Sequence, residues 1–300
     1  MLEAEIRDAN VRYHDLASQH YDSKWGISYE ELGQAQVLGK LEKALGRKPA
    51  RYERALEIGA GTGYFTLNLL KAGIVEHGVA TDISPGMLAA LERSARRLAL
   101  PVETACCEAA VLPFEDDSFD LVFGHAVLHH LTDLEASFRE FRRVLRPGGT
   151  LAFCGEPSLY GDRLAELPKR VAHAVAPVWR AVMRAAPRSN GSGNGRPDEE
   201  GKLEAVVDVH AFTPADLALH ARRAGFEEIR VTGEELAASL FGWANRALEA
   251  TAEPADVPWL WRQYAHKGYL ALQAIDRTVL ESRLPPALFY NLLVSARVPG

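Results

Sequence analysis

Between residues 55 and 154, short apolar runs alternate with helical patterns, and that alternation leaves few folds open. Ala55-Leu56-Glu57-Ile58 is a strand by its length and by the glycines that follow. Thr66 to Ala72 resumes a helical period, and Gly78 to Asp82 reads as the next strand. Ser84 and Pro85 then open a helix towards Leu98, serine as N-cap and proline in the first turn. Strands over Val102 to Cys106, Phe119 to Phe123 and Thr150 to Cys154 follow, with a helix from about Leu134 to Leu145 before Pro147-Gly148-Gly149. Glu228 to Thr232 and Phe289 to Arg297 bring the strands to seven, and Thr213-Pro214 starts a helix to Ala224. Such a rhythm builds an α/β fold with a doubly wound, mostly parallel sheet.

Outside the alternation the pattern is helical. Tyr13, Leu16, Ala17 and Tyr21 recur at helical spacing, and a further helix covers Tyr29 to Leu45 and ends at Gly46. Residues 162–187 read as one or two helices interrupted near Pro168 and Pro177, and 188–197 as a flexible Gly/Ser/Asn loop. Residues 234–284 form a second helical insertion.

Composition excludes several classes. Forty acidic against 34 basic residues give a net charge of −6, which argues against nucleic acid as a partner. The acidic start and the lack of any run of about 20 apolar residues predict a cytoplasmic chain without a transmembrane segment. Cys106, Cys107 and Cys154 form no C-x-x-C pair, so neither a disulfide framework nor a metal site is expected.

The turn Glu57-Ile58-Gly59-Ala60-Gly61-Thr62-Gly63 is built for a ligand near the main chain, since glycine lacks a Cβ and a helix N-terminus offers unpaired N–H groups. Dinucleotide-binding proteins use the same geometry. Their fingerprint wants glycine or alanine at the sixth position, where this chain has Tyr64. A purely structural tight turn is the bland alternative.

Five motifs in order sharpen the reading: Glu57 to Gly63, Asp82-Ile83-Ser84-Pro85-Gly86-Met87-Leu88, Glu108 to Asp120 with its Leu-Pro-Phe segment, Val127-Leu128-His129-His130-Leu131, and Leu145-Arg146-Pro147-Gly148-Gly149-Thr150. This series resembles the class I S-adenosylmethionine-dependent methyltransferase family, in its small-molecule branch, closely over about residues 55–155. The resemblance implies a Rossmann-like core and S-adenosylmethionine as cofactor. Gly59, Ala60, Gly61 and Thr62 would lie under its methionine and ribose part, with Glu57 holding the turn near the ammonium. Asp82 would take the ribose hydroxyls, Ile83 and Met87 would sandwich adenine, and Glu108 with the Ala109 amide would meet its edge. His125 would stand beside the methionine and the acceptor, and Tyr21 belongs to a helical lid that folds over the cofactor in similar enzymes, with Tyr13 and Trp25.

Methyl transfer mainly needs the nucleophile placed about 3–3.5 Å from the methyl carbon, with a base only if a proton must leave. Candidate bases are His125, His129, His130 and Glu156. The expected division is a lid over 1–50, a cofactor core over 51–158, a helical insertion with the loop over 159–210, core again over 211–233, a helical cap insertion over 234–286, and a last core strand over 287–300. The acceptor is expected to be a medium-sized, partly hydrophobic small molecule: a polyketide, terpenoid, quinone or lipid-like metabolite. The cationic amphipathic pattern of the first insertion also suggests weak contact with a membrane surface. An NAD(P)-dependent oxidoreductase and a non-catalytic cofactor-binding protein stand as alternatives.

Overall fold

The computed structural model describes residues 3–22, 26–188, 207 and 209–300. Trp25 and most of the expected 188–197 loop lie outside them. Two compact units are present, one of Met1–Glu156, Pro197–Thr232 and Leu293–Gly300, the other of Pro157–Arg196 and Gly233–Leu292.

The first unit is built on a seven-stranded sheet in the order β3-β2-β1-β4-β5-β7-β6. Its strands are β1 (Tyr52–Ile58), β2 (Val75–Asp82), β3 (Val102–Cys106), β4 (Phe119–His125), β5 (Leu145–Pro157), β6 (Glu227–Glu234) and β7 (Asn291–Arg297). The β1–β2, β1–β4, β2–β3 and β4–β5 pairs are parallel, in agreement with the alternation in the sequence. Central strands are apolar without alternation, as expected where helices cover both faces: Leu56, Leu121, Val122, Leu151 and Phe153 are fully buried. Burying each such side chain contributes roughly 1.5–3 kcal/mol.

The helices begin and end where local chemistry dictates. Those of this unit are α1 (Glu3–Ala17), α2 (Glu31–Leu45), α3 (Tyr64–Lys71), α4 (Pro85–Leu98), α5 (Leu134–Val144) and, after a helix described below, α7 (Pro214–Arg223). Ser84 caps α4 by accepting from the Met87 amide, and Asp133 caps α5 through the Ala136 amide. Thr213 and Asp216 form a reciprocal capping box on α7. Gly46 ends α2 at φ +68°. The amphipathic pattern starting α1 reaches ten residues further back than Tyr13, to Glu3, and β5 begins at Leu145 because Leu145 to Gly149 continue the strand.

The second unit holds α6 (Leu159–Met183), α8 (Ala237–Glu249) and α9 (Trp259–Ile275). The expected interruption of α6 does not occur: one helix of 25 residues runs through both Pro168 and Pro177. Each proline removes a single backbone donor, and the small buried residues Gly161, Ala165, Ala172 and Ala176 leave the packed face of the helix unbroken. Trp179, Ala185, Ala252 and Val257 form a buried cluster in this unit. The Asp276 carboxylate accepts from the Ala237 and Ala238 amides and so closes the N-terminus of α8. Among the described residues, no helix is long and apolar enough to cross a membrane.

Candidate cofactor cleft

Strand β1 pairs with β2 on one side and β4 on the other, so the chain's course over the sheet reverses there. Open α/β sheets carry ligands outside the carboxyl ends of strands at such a switch point. A cleft lies there within the first unit, with about 950 Å³ of empty space when the open solvent at its mouth is included. Ile58 ends β1 in it with Gly59 just beyond, Asp82 ends β2, and His125 ends β4.

Gly59 and Gly61 shape the floor. Both have positive φ, +62° and +54°. A Cβ on Gly59 would come within 2.2 Å of Val127 Cγ2, whereas one on Gly61 would meet no atom within 4 Å. The first glycine is therefore demanded by packing, and the second leaves open space at the cleft. Ala60 turns inward against Ala80 and Leu91, and its amide donates to the Thr81 carbonyl. Thr62 is likewise buried, its carbonyl accepting from the Tyr29 hydroxyl at 2.9 Å.

Glu57 lies beneath the turn, not in the cleft lining. Its Oε2 accepts from the Thr66 amide at 2.9 Å and from the Thr66 hydroxyl, tying β1 to α3. Burial pushes this carboxyl up to about 8 despite those bonds. Asp82 is held otherwise: Oδ2 accepts from the Gly61 amide at 2.8 Å and Oδ1 from the Ser84 amide at 2.9 Å. Burial raises its carboxyl to about 6, against the pull of these amides.

Of the residues expected to hold a cofactor, the cleft brings together Tyr21, Gly59, Gly61, Asp82, Ile83, Met87, Glu108, Ala109 and His125; Glu57, Ala60 and Thr62 support the turn from behind. Burial raises the Tyr21 hydroxyl well above its ordinary range, with the Asp82 charge adding to it. His125 stacks on Phe65, ring centroids 4.8 Å apart.

The two neighbouring histidines part company. His129 is buried, and its Nδ1 lies 2.9 Å from Glu156 Oε2. Glu156 also accepts from the amides of Val127, Leu128 and His129, so it organises the turn after β4. Burial opposes its charge, but the His129 side chain and the backbone amides outweigh that and hold the carboxyl below the usual range. His130, by contrast, lines the cleft, with Nδ1 2.9 Å from the Val207 carbonyl.

Sequence reasoning missed Arg7, Asn10 and His14, all on α1 and all in the cleft wall. Their spacing of three and four residues puts them on one helical face, a signal present in the sequence. Arg7 donates to Glu108 at 2.9 Å, and the Asp15 carboxylate accepts from the Gly86 amide at 2.9 Å, so α1 is fastened at both ends of the cleft. The Asn10 side-chain oxygen is buried without a hydrogen-bond partner. Burial, helped by His130 and His129, lowers His14 to about 3, so it is neutral at physiological pH. The Leu-Pro-Phe segment proves to be scaffolding beside the cleft, where Arg143 donates to the carbonyls of Leu112 and Phe114.

Two features of this lining suit a cationic, phosphate-free nucleoside. Among the described residues, the lining holds Asp82, Glu108 and Asp133 with one arginine, Arg7, and no lysine. Asn10 and the space above Gly61 offer an unused acceptor and a close approach to the backbone.

Among known proteins, residues 56–153 match the methyltransferase domain family. Malonyl-acyl-carrier-protein O-methyltransferase of Halorhodospira halophila is 36% identical over 62% of this chain and 61% of its own length. Demethylmenaquinone methyltransferase of Corynebacterium urealyticum is 30% identical over 85% of this chain and 98% of its own. The chain thus spans about three-fifths of the first relative and nearly all of the second. A structure of Haemonchus contortus phosphoethanolamine N-methyltransferase 2, with phosphomonomethylethanolamine and S-adenosylhomocysteine, has a TM-score of 0.60 at 18% identity. It covers 98% of this chain and 60% of its own, a likeness of fold.

Proposed function

Because the chain belongs to the class I S-adenosylmethionine-dependent methyltransferase family, we propose that it binds this cofactor in the cleft described above and methylates a medium-sized, partly hydrophobic small molecule. The observation that carries the reading is the convergence of Gly61, Asp82, Glu108 and Asn10 on one cleft at the switch point of the sheet. When bound, the cofactor supplies a methyl group already activated by a positively charged sulfur.

The residues of this chain then bind and orient. The Asp82 oxygens accept backbone amides and would offer their remaining lone pairs to the ribose hydroxyls. Ile83 and Met87 offer apolar contact to the adenine faces, while Glu108 and the Ala109 amide meet its edge. Asn10 contributes its unpartnered oxygen.

Of the candidate bases we favour His130, which lines the cleft. A carbonyl oxygen only accepts, so the Nδ1 facing Val207 carries the hydrogen, and Nε2 would be the basic nitrogen of a neutral ring. An acceptor hydroxyl placed at that nitrogen would give up its proton as its oxygen attacks the methyl carbon. His129 is committed to Glu156 and orders the turn instead.

A quinone or lipid-like acceptor agrees with the apolar wall of Ile58, Val127 and Leu131, and demethylmenaquinone is the acceptor in the name of one relative. Calorimetric titration with S-adenosylhomocysteine and with NAD tests the cofactor: binding of the first alone is expected, and binding of NAD alone would return the chain to the oxidoreductases. Incubation with methyl-labelled cofactor and a panel of quinones, polyketides and terpenoids tests the acceptor. Cofactor binding without label transfer to any of them would favour a non-catalytic binding protein.

A further inference from the structure

Helix α6 buries Trp179 and four small residues and exposes most of its large aliphatic ones. Leu164, Leu167, Val171, Val175, Val178 and Val182 are 43–70% exposed. Single exposed apolar residues are ordinary, but six on one helix are not. Leu164, Leu167 and Val171 recur as Val175, Val178 and Val182 after eleven residues, so the pattern repeats once along the helix. At 100° per residue the stripe spans about 80° of the circumference, and the buried Ala165, Ala172 and Ala176 lie on a neighbouring face.

The repeat length speaks to what lies against the stripe. Eleven residues make three turns at 3.67 per turn, so the stripe runs almost parallel to the helix axis for roughly 27 Å. A left-handed coiled-coil seam needs a seven-residue repeat, which this helix does not keep. A straight stripe suits a flat surface.

Charge points the same way. Helix α6 and its cap carry Arg163, Lys169, Arg170, Arg180 and Arg184 against Asp162 and Glu166. Helix α9 adds Arg262 and Lys267 and has no acidic residue. This positive excess stands in a chain of net charge −6. Exposed Arg163 and Arg170 border one edge of the stripe, seven residues apart. A second copy of the same helix would set like charge against like, whereas an anionic surface is complementary. Exposed Trp259 and Leu260, in the same unit, add residues of the kind found on the apolar face of interfacial helices.

We propose that the exposed face of α6 lies on anionic lipid bilayers, with the Leu/Val stripe in the headgroup–acyl boundary and Arg163 and Arg170 on the phosphates. The helix does not cross the bilayer; it lies in the plane, as amphipathic helices with basic flanks do. The proposal holds whatever the methyl acceptor.

Flotation of the full chain with liposomes tests it. Liposomes with about one-third phosphatidylglycerol should carry the protein, and pure phosphatidylcholine or high salt should lower the bound fraction roughly tenfold. Val171→Asp with Val178→Asp should abolish flotation, and Arg163→Glu with Arg170→Glu should weaken it severalfold. Both variants alter exposed positions, and unchanged S-adenosylhomocysteine affinity would verify their folding. If the valine variant misfolds, the arginine variant decides alone. No flotation of the wild type on anionic liposomes, or flotation unaffected by the substitutions, overturns the proposal. So does a dimer in sedimentation velocity that Val171→Asp dissociates while lipid goes unbound.

Discussion

The Asp82 carboxylate accepts a hydrogen bond from the Gly61 amide at 2.8 Å, so the end of the second strand holds the glycine turn that follows the first. Its other oxygen holds the Ser84 amide. One side chain thus fixes both loops that border the cleft on this side and presents its remaining lone pairs to whatever enters.

Asp82→Asn replaces one acceptor by an amide that faces a backbone N–H. The lost pairing should cost about 1–3 kcal/mol of stability, and S-adenosylhomocysteine should bind at least roughly tenfold more weakly. Thermal melts and calorimetry check both; wild-type affinity would separate Asp82 from the ligand.

The two glycines should fail in different ways. Gly59→Ala drives a Cβ into Val127 and should destabilise the fold by more than about 3 kcal/mol. Gly61→Ala meets no protein atom, so only the backbone strain of about 1–2 kcal/mol opposes it. With the cofactor placed as proposed, its methyl group would enter ligand space, and the expected result is a folded protein with impaired cofactor binding. Denaturant melts and titration of the two variants distinguish the outcomes.

Glu57 should make stability depend on pH. Folding raises its carboxyl from 4.5 to about 8. Below about 4.5 the group is protonated in folded and unfolded chains alike. Between there and about 8 the folded chain keeps a proton that the unfolded chain has lost, so stability falls as pH rises. Glu57→Gln cannot titrate, so the wild type should lose melting temperature relative to this variant across that window. A constant difference would contradict the raised value.

His130 and His129 should separate by kinetics and stability. His130→Gln should lower kcat by about 10²–10⁴-fold if the acceptor must lose a proton, with melting temperature and cofactor affinity nearly unchanged. His129→Ala removes a partner from buried Glu156 and should destabilise by about 1–3 kcal/mol. Equal kinetic losses in both, with equal stability, would remove the distinction drawn here.

Much of the fold was legible in the chain because its signals are local. Five-residue apolar runs, the Ser84-Pro85 start and the Gly46 stop depend on neighbours within a turn, and β3 matches its sequence limits at Val102 and Cys106. The prolines of α6 misled because a missing donor is a local defect that packing of the helix's small face overrides. Arg7, Asn10 and His14 share one helical face by their spacing, but nothing near them in sequence marks what α1 covers.

The sequence by itself determined the alternation of strands and helices, the glycines at the turn and the family, all carried by short-range spacing. Tertiary structure alone decided which of two adjacent histidines enters the cleft, since that depends on Glu156 drawing one of them inward from 27 residues away. It also decided that Asp82, 21 residues beyond Gly61, holds the turn as well as facing the cleft. Such assignments rest on hydrogen bonds between segments that meet only when the parallel sheet has formed.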